Sequence, residues 1–116
     1  MKSDEIRTEQ DVMRHLSEKT KFEKAVLVAT FKIPRGKVST YKRIAEKIGK
    51  PRAYRAAGNA LHKNPLAPVV PCHRVVKSDG TFGGERKGAE SRKKLLKEEG
   101  VPIEKNRVKM SSKILF

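Results

Sequence analysis

The chain has no tryptophan, a single cysteine, and an aromatic content of only 5% in 116 residues. One cysteine excludes an internal disulfide, so the fold does not depend on an oxidising compartment. Few aromatics leave Leu, Val, Ile and Ala to fill the interior, and a chain this short builds one small core. No apolar run approaches bilayer-spanning length. Residues 1–10 are polar and charged and do not read as a secretory leader. With one cysteine and three scattered histidines, no zinc-ligand spacing is present, and neither a metal nor a cofactor is expected. Acidic residues are scarce too: 13 Asp+Glu stand against 28 Lys+Arg, a formal net charge of +15. That excess favours a polyanionic partner, nucleic acid ahead of a membrane surface. A soluble intracellular protein is expected, cytoplasmic (nucleoid-associated) or nuclear.

What is present divides into a short leading segment and one domain. Residues 1–20 read as an N-terminal arm or short helix, with Val12, Met13 and Leu16 as its apolar side. Phe22, Val26, Ala29 and Ile33 recur at helical spacing and predict a helix over 22–33 that Pro34-Arg35-Gly36 stops. A second helix is predicted over 41–48, capped by Ser39 or Thr40, with Ile44, Ala45 and Ile48 inward. Gly49-Lys50-Pro51 turns into a third over 52–62. Two helices across a tight turn in a basic chain suggest a helix-turn-helix. On the third helix, Ala53, Ala56, Ala57, Ala60 and Leu61 form an apolar stripe, while Arg55, Gly58, Asn59 and His62 share another face. Glycine inside a helix costs up to about 1 kcal/mol relative to alanine, so Gly58 has a local reason, and close approach to nucleic acid is one. A last helix is predicted over 89–99, ended by Gly100 and Pro102, and residues 101–116 as a strand or a surface segment. The fold class expected is mainly α, winged-helix-like, built on a helix-turn-helix with short strand segments.

The chemistry concentrates in Pro71-Cys72-His73-Arg74, on a segment stiffened by prolines at 65, 68 and 71. A thiol beside an imidazole is the pairing an activated nucleophile needs. Adjacency alone leaves open a buried structural cysteine. On the last helix, Glu99 shares a side with Leu95 and Leu96, and either it is drawn towards the interior, where a carboxylate needs a partner and His73 is the candidate, or it points to solvent at the helix end.

Thr40-Tyr41, the Arg55 helix, Asn64-Pro65, Pro71-Cys72-His73-Arg74-Val75-Val76, Gly83-Gly84, and Leu95-Leu96 with Glu99-Gly100 follow one another in this order. Together they resemble the C-terminal, active-site domain of the O6-alkylguanine-DNA alkyltransferases, from about residue 22 to about residue 101. The resemblance implies direct DNA repair: a helix-turn-helix enters the minor groove of double-stranded DNA, the damaged guanine is flipped out, and a cysteine takes the alkyl group irreversibly. On that basis residues 21–116 are the DNA-binding and active-site domain of a monomer that acts once, with no membrane partner.

By position, Cys72 resembles the alkyl acceptor, His73 the base that takes its proton through a water, and Glu99 the carboxylate that orients the imidazole. Asn64 resembles the brace of the active-site turn. Arg55 resembles the finger that replaces the flipped base. Tyr41 resembles the residue that rotates the target phosphate and donates a proton to the leaving guanine. Thr40, Ala56, Gly58 and Arg74 complete the expected DNA-facing set, with a structural role for Arg74 as the alternative. Pro68, Val75 and Ser78 are the expected pocket residues.

The chain departs from the family in three places. Only about 20 residues precede the match, as in the short alkyltransferase-like proteins that bind alkylated guanine without repairing it. Those carry another residue at the cysteine position, whereas this chain keeps Cys72. Glu85, followed by Arg86 and Lys87, stands where many members have a tyrosine. Ala67 stands where a pocket-wall proline often follows Asn-Pro-X, with Pro68 one place later. The expected activity is suicide alkyl transfer. The alternatives are a module that recognises O6-alkylguanine and recruits other factors, and a general helix-turn-helix DNA binder.

Overall fold

The computed structural model describes residues 6–83 and 86–116; at Arg86 and Lys87 it describes the backbone only. Gly84, Glu85 and residues 1–5 therefore lie outside the described residues, and with them the expectations placed on Glu85. Among the described residues five helices carry the fold: α1 Glu9–His15, α2 Lys21–Phe31, α3 Tyr41–Lys47, α4 Tyr54–His62 and α5 Arg86–Glu98. The strands are two residues each: β1 Ser39–Thr40, β2 Val75–Val76, β3 Ile103–Glu104 and β4 Arg107–Val108. A mainly helical chain built around a helix-turn-helix is what the periodicity predicts.

The N-termini of α1 and α2 are set by the same device. Thr8 and Thr20 each accept from the backbone N–H three residues on, and Asp11 and Glu23 reach back to the cap N–H, so two capping boxes form. Each cap is worth about 1 kcal/mol. Neither box is used in the predictions above, yet both are written in the sequence. Val12 of α1 and Leu16, its C-cap, are buried with Val26, Leu27 and Ile33 in one core, so this leading helix is part of the packed structure.

Thr40 rather than Ser39 caps α3, its hydroxyl accepting from Arg43 N–H at 3.0 Å. The turn after α3 depends on Gly49 at φ +79, with Gly49 N–H bonding the Glu46 carbonyl and Lys50 N–H the Ala45 carbonyl. That bond pair is a Schellman closure, which needs the left-handed region and so favours glycine. Gly100 at φ +83 repeats it after α5: Gly100 N–H bonds the Lys97 carbonyl and Val101 N–H the Leu96 carbonyl. Val101 and Leu96 are both buried, which supplies the apolar contact that accompanies the motif.

α4 begins at Tyr54, two residues later than predicted, and its phase differs from the predicted stripe. Ala57, Ala60 and Leu61 are buried, whereas Ala56 is exposed beside Arg55. α5 begins at Arg86, three residues earlier than predicted. The tail is not one strand. It folds into the antiparallel β3–β4 hairpin, and residues 114–116 then run beside Val38, which bridges Leu115 in parallel. Lys47 stands over the Phe116 ring at 3.8 Å, and Arg43 donates to the Phe116 carbonyl oxygen at 3.0 Å, so the tail secures the outer side of α3.

β1 and β2 pair in parallel, Ser39 with Val75 and Thr40 with Val76. This short ladder fixes the site. β1 leads straight into Tyr41, and β2 leaves straight from Cys72-His73-Arg74. Two segments 30-odd residues apart in the chain are thereby held side by side. The larger core lies beneath α1–α4, and a smaller one, with Val38, Val76, Leu96, Val101 and Val108, lies under α5 and the hairpin.

Candidate active site

Pro71, at φ −82 and ψ 70, makes an inverse γ-turn in which Cys72 N–H bonds the Val70 carbonyl at 2.9 Å. The same carbonyl accepts from Asn64 Nδ2 at 2.8 Å, and Asn64 Oδ1 accepts from Leu66 N–H at 2.9 Å. Asn64 thus ties both ends of the connector that delivers Cys72. A short 3-10 helix, Cys72–Arg74, follows, and Val75 N–H closes it on the Cys72 carbonyl. Cys72 is half-buried and carries a free thiol.

Behind the cysteine, His73 Nε2 lies 2.9 Å from Glu99 Oε2, with side-chain exposures of 4% and 8%. Arg74 clamps the same carboxylate in a fork, Nε to Oε1 and Nη2 to Oε2 at 2.8 Å each, and its Nη1 donates to the Ile33 carbonyl at 2.7 Å. Burial pushes the Glu99 carboxyl up. The hydrogen bonds and charges of Arg74 and His73 outweigh it and hold the group at about 2. Burial likewise lowers His73 below its ordinary 6.5, against the opposing pull of Glu99. His73 is therefore neutral at pH 7, and Glu99 is charged. With Nε2–H given to the carboxylate, Nδ1 carries the imidazole lone pair and is the basic position. Arg74 is committed inward, so its place is structural and not at the DNA-facing surface expected for it.

A cavity of about 580 Å³ opens beside α4. Tyr41 and Lys42 line it from α3, and Tyr54, Arg55, Gly58, Asn59 and His62 from α4. Lys77, Ser78 and Gly83 close the far wall. Of the residues expected there, Tyr41, Arg55, Gly58 and Ser78 are brought together. Ala56 faces solvent on the same helix. Thr40 is 5% exposed and spends its hydroxyl on the cap, Val75 is fully buried between the strands and the core, and exposed Pro68 is not part of the lining. Gly58 lies under the Tyr41 ring: a Cβ there would meet ring carbons at 3.6 and 3.7 Å.

Cys72 is not among the lining residues. Tyr41 connects the two places, because it lines the cavity and its phenol lies within electrostatic reach of Cys72. Burial raises the Tyr41 phenol above its ordinary 10, with Arg92 partly offsetting this by charge and hydrogen bond. Tyr41 therefore keeps its proton at neutral pH and is a donor. Arg92 also donates to the carbonyls of Gly83 and Gly88. Sequence reasoning missed Arg92 and its reach to Tyr41. It also missed Tyr54, Lys42 and Lys77. Lysines and an exposed tyrosine carry no motif; only the shared cavity selects them. No group of three or more His, Cys, Asp or Glu that could hold a metal stands among the described residues, and no helix among them is long and apolar enough to cross a membrane.

Comparison with known proteins gives one consistent family. Residues 21–101 match the family model described as 6-O-methylguanine DNA methyltransferase, DNA binding domain. The methylated-DNA–protein-cysteine methyltransferase of Methanosarcina barkeri is 51% identical over 80 residues, covering 69% of this chain and 51% of that protein. The chain spans about half the length of the first curated relatives it matches. Mycobacterium tuberculosis OGT in complex with DNA superposes with a TM-score of 0.66 at 41% identity, over 69% of this chain and 50% of that one. Schizosaccharomyces pombe Atl1, in complex with damaged DNA containing O6-carboxymethylguanine, superposes with a TM-score of 0.73 at 31% identity, over 96% of this chain and 98% of that one.

Proposed function

The chain belongs to the 6-O-methylguanine DNA methyltransferase family through its DNA-binding domain, and on that premise we propose that residues 21–116 also form the active-site domain and repair O6-alkylguanine in double-stranded DNA by transfer to Cys72. The observation that carries this reading is the His73–Glu99 pair at 2.9 Å immediately behind the only cysteine.

The Cys72 thiol gives its proton, through a water, to Nδ1 of His73, whose Nε2–H stays on Glu99. Sγ then attacks the alkyl carbon in line with its bond to O6. The S–C bond forms as the C–O6 bond breaks, and its electron pair leaves with the guanine. The Tyr41 phenol supplies the proton that neutralises the guanine, and solvent exchanges the protons on Tyr41 and His73 afterwards. The products are guanine and an S-alkylcysteine thioether, which no group in the site can cleave, so each molecule acts once. Arg55 occupies the gap left by the flipped nucleotide. Lys42 and Lys77 hold the flanking phosphates. We place the DNA contact in the minor groove, with a monomer sufficient for it.

The test reads the DNA. After incubation with a short duplex holding one O6-methylguanine, digestion should return guanine in place of the lesion, in proportion to the protein added. An unchanged lesion on a selectively retained duplex would refute transfer. It would favour a second reading, recognition without repair. The observation on that side is the likeness to Atl1 over nearly the whole of both chains.

A further inference from the structure

The chain contains two tyrosines, and both line the same cavity. Tyr41 is half-buried, its ring against Gly58 and its hydroxyl beside Arg92. Tyr54 is 46% exposed and makes no hydrogen bond, ion pair or ring contact among the described residues. Only Met13, on α1 and outside the cavity, is a large apolar side chain of similar exposure among them.

In a chain with 5% aromatics, an unpartnered ring at this place calls for a ligand. Tyr54 opens α4 directly before Arg55 and stands one turn before Gly58, on the same face. Gly58 projects no side chain that would crowd the ring. Lys42, Arg55 and Lys77 line the same cavity and make it cationic. A flat aromatic surface inside a cationic cleft is the composition that holds unstacked bases: cations track the phosphates, and the ring takes the π-face of a base of any sequence. A duplex offers such a face only where a neighbour has left the stack.

We propose that Tyr54 stacks on the base exposed beside the vacated position, so that Arg55 fills the gap and Tyr54 covers its edge. The proposal rests on the extrahelical nucleotide of the function proposed above. It assigns to α4 a second wedge residue that stabilises the flipped state rather than the alkyl transfer.

The experiment uses the full chain with Cys72→Ser, so that binding is read without reaction. Affinities are measured for two short duplexes that differ only in one O6-methylguanine in place of guanine, with 2-aminopurine next to that position. Adding Tyr54→Ala should lower the preference for the lesion about tenfold, within what one base–aromatic stack contributes, and raise the 2-aminopurine emission. Tyr54→Phe should restore both. Tyr54→Leu, which keeps apolar bulk without a planar face, should behave as Tyr54→Ala. A preference that survives in Tyr54→Ala, or that falls equally in Tyr54→Phe, overturns the stacking role and leaves the proposed function standing. A Cys72→Ser protein with no preference for the lesion at all also overturns the stacking role, while the function proposed above stands or falls on the guanine recovered from the duplex.

Discussion

His73 and Arg74 both bond Glu99 behind Cys72, and the two partners of the 2.9 Å contact are nearly sealed from solvent. On the outer face of α4, Tyr54, Arg55, Asn59 and His62 are exposed and bond nothing among the described residues. The first region is completed by the fold itself, with every charge answered by another. The second is left incomplete, which is the state of a surface that waits for a partner. Chemistry requires a base held in one protonation state and orientation, and interior bonding provides that. Recognition of a deformed duplex requires groups still free to form new bonds. Tyr41 belongs to both regions, and the parallel β1–β2 ladder keeps them in register.

The sharpest separation comes from Cys72→Ser. It should abolish transfer and leave lesion binding in place, read by mass and by anisotropy on the same duplex. Loss of binding as well would merge the two regions. Next is Glu99→Ala, which strands Arg74 and the His73 ring in the interior. It should cost about 3–5 kcal/mol of stability in denaturant unfolding, the range for breaking a buried ion pair. Arg55→Ala is the converse case. Its stability should stay within about 0.5 kcal/mol, while the rate on duplex DNA falls by about tenfold or more, as expected for loss of a charged hydrogen bond. An Arg55 variant that unfolds easily would contradict the division. Asn64→Ala should cost about 1–3 kcal/mol, because Leu66 N–H is left unanswered and the Val70 carbonyl keeps only Cys72 N–H, and should slow transfer by loosening the Cys72 turn.

The pH dependence has a sign that follows from two depressed groups. The stability contributed by Glu99 is complete above its ordinary 4.5 and is lost as pH falls towards about 2. His73 is held below 6.5, so from that pH downwards the unfolded chain takes up the proton first, and stability begins to fall there. Transfer should also slow below the lowered His73 value, because a protonated imidazole accepts nothing. A rate that rises on acidification would contradict the assignment of His73 as base.

The bonded region was largely legible in the sequence, and the open one less so. Leu95, Leu96 and Glu99 share a helical face, which pointed Glu99 inward against the alternative of a solvent-facing helix end, and His73 was the candidate to meet it. Arg74 was harder: whether a guanidinium turns to a carboxylate or to a phosphate depends on the distance between α5 and the 3-10 turn, which no local pattern encodes. On α4 the difficulty was phase. Starting the helix at 52 instead of 54 leaves its period unchanged but says nothing of which alanine the core covers, and Ala56 faces solvent. Tyr54 and Arg92 were missed because their meaning is a shared cavity between elements distant in sequence. The tail's run beside Val38 was missed for the same reason.

The central claim is that Cys72 is an alkyl acceptor consumed in use. Its most direct test is the intact mass of the wild-type chain against a rising excess of duplex containing O6-methylguanine, with peptide mapping. The account predicts a plateau at one added methylene mass per molecule, carried entirely by the peptide that holds Cys72. An unmodified mass at every ratio, or a methyl group on any other residue, would contradict it.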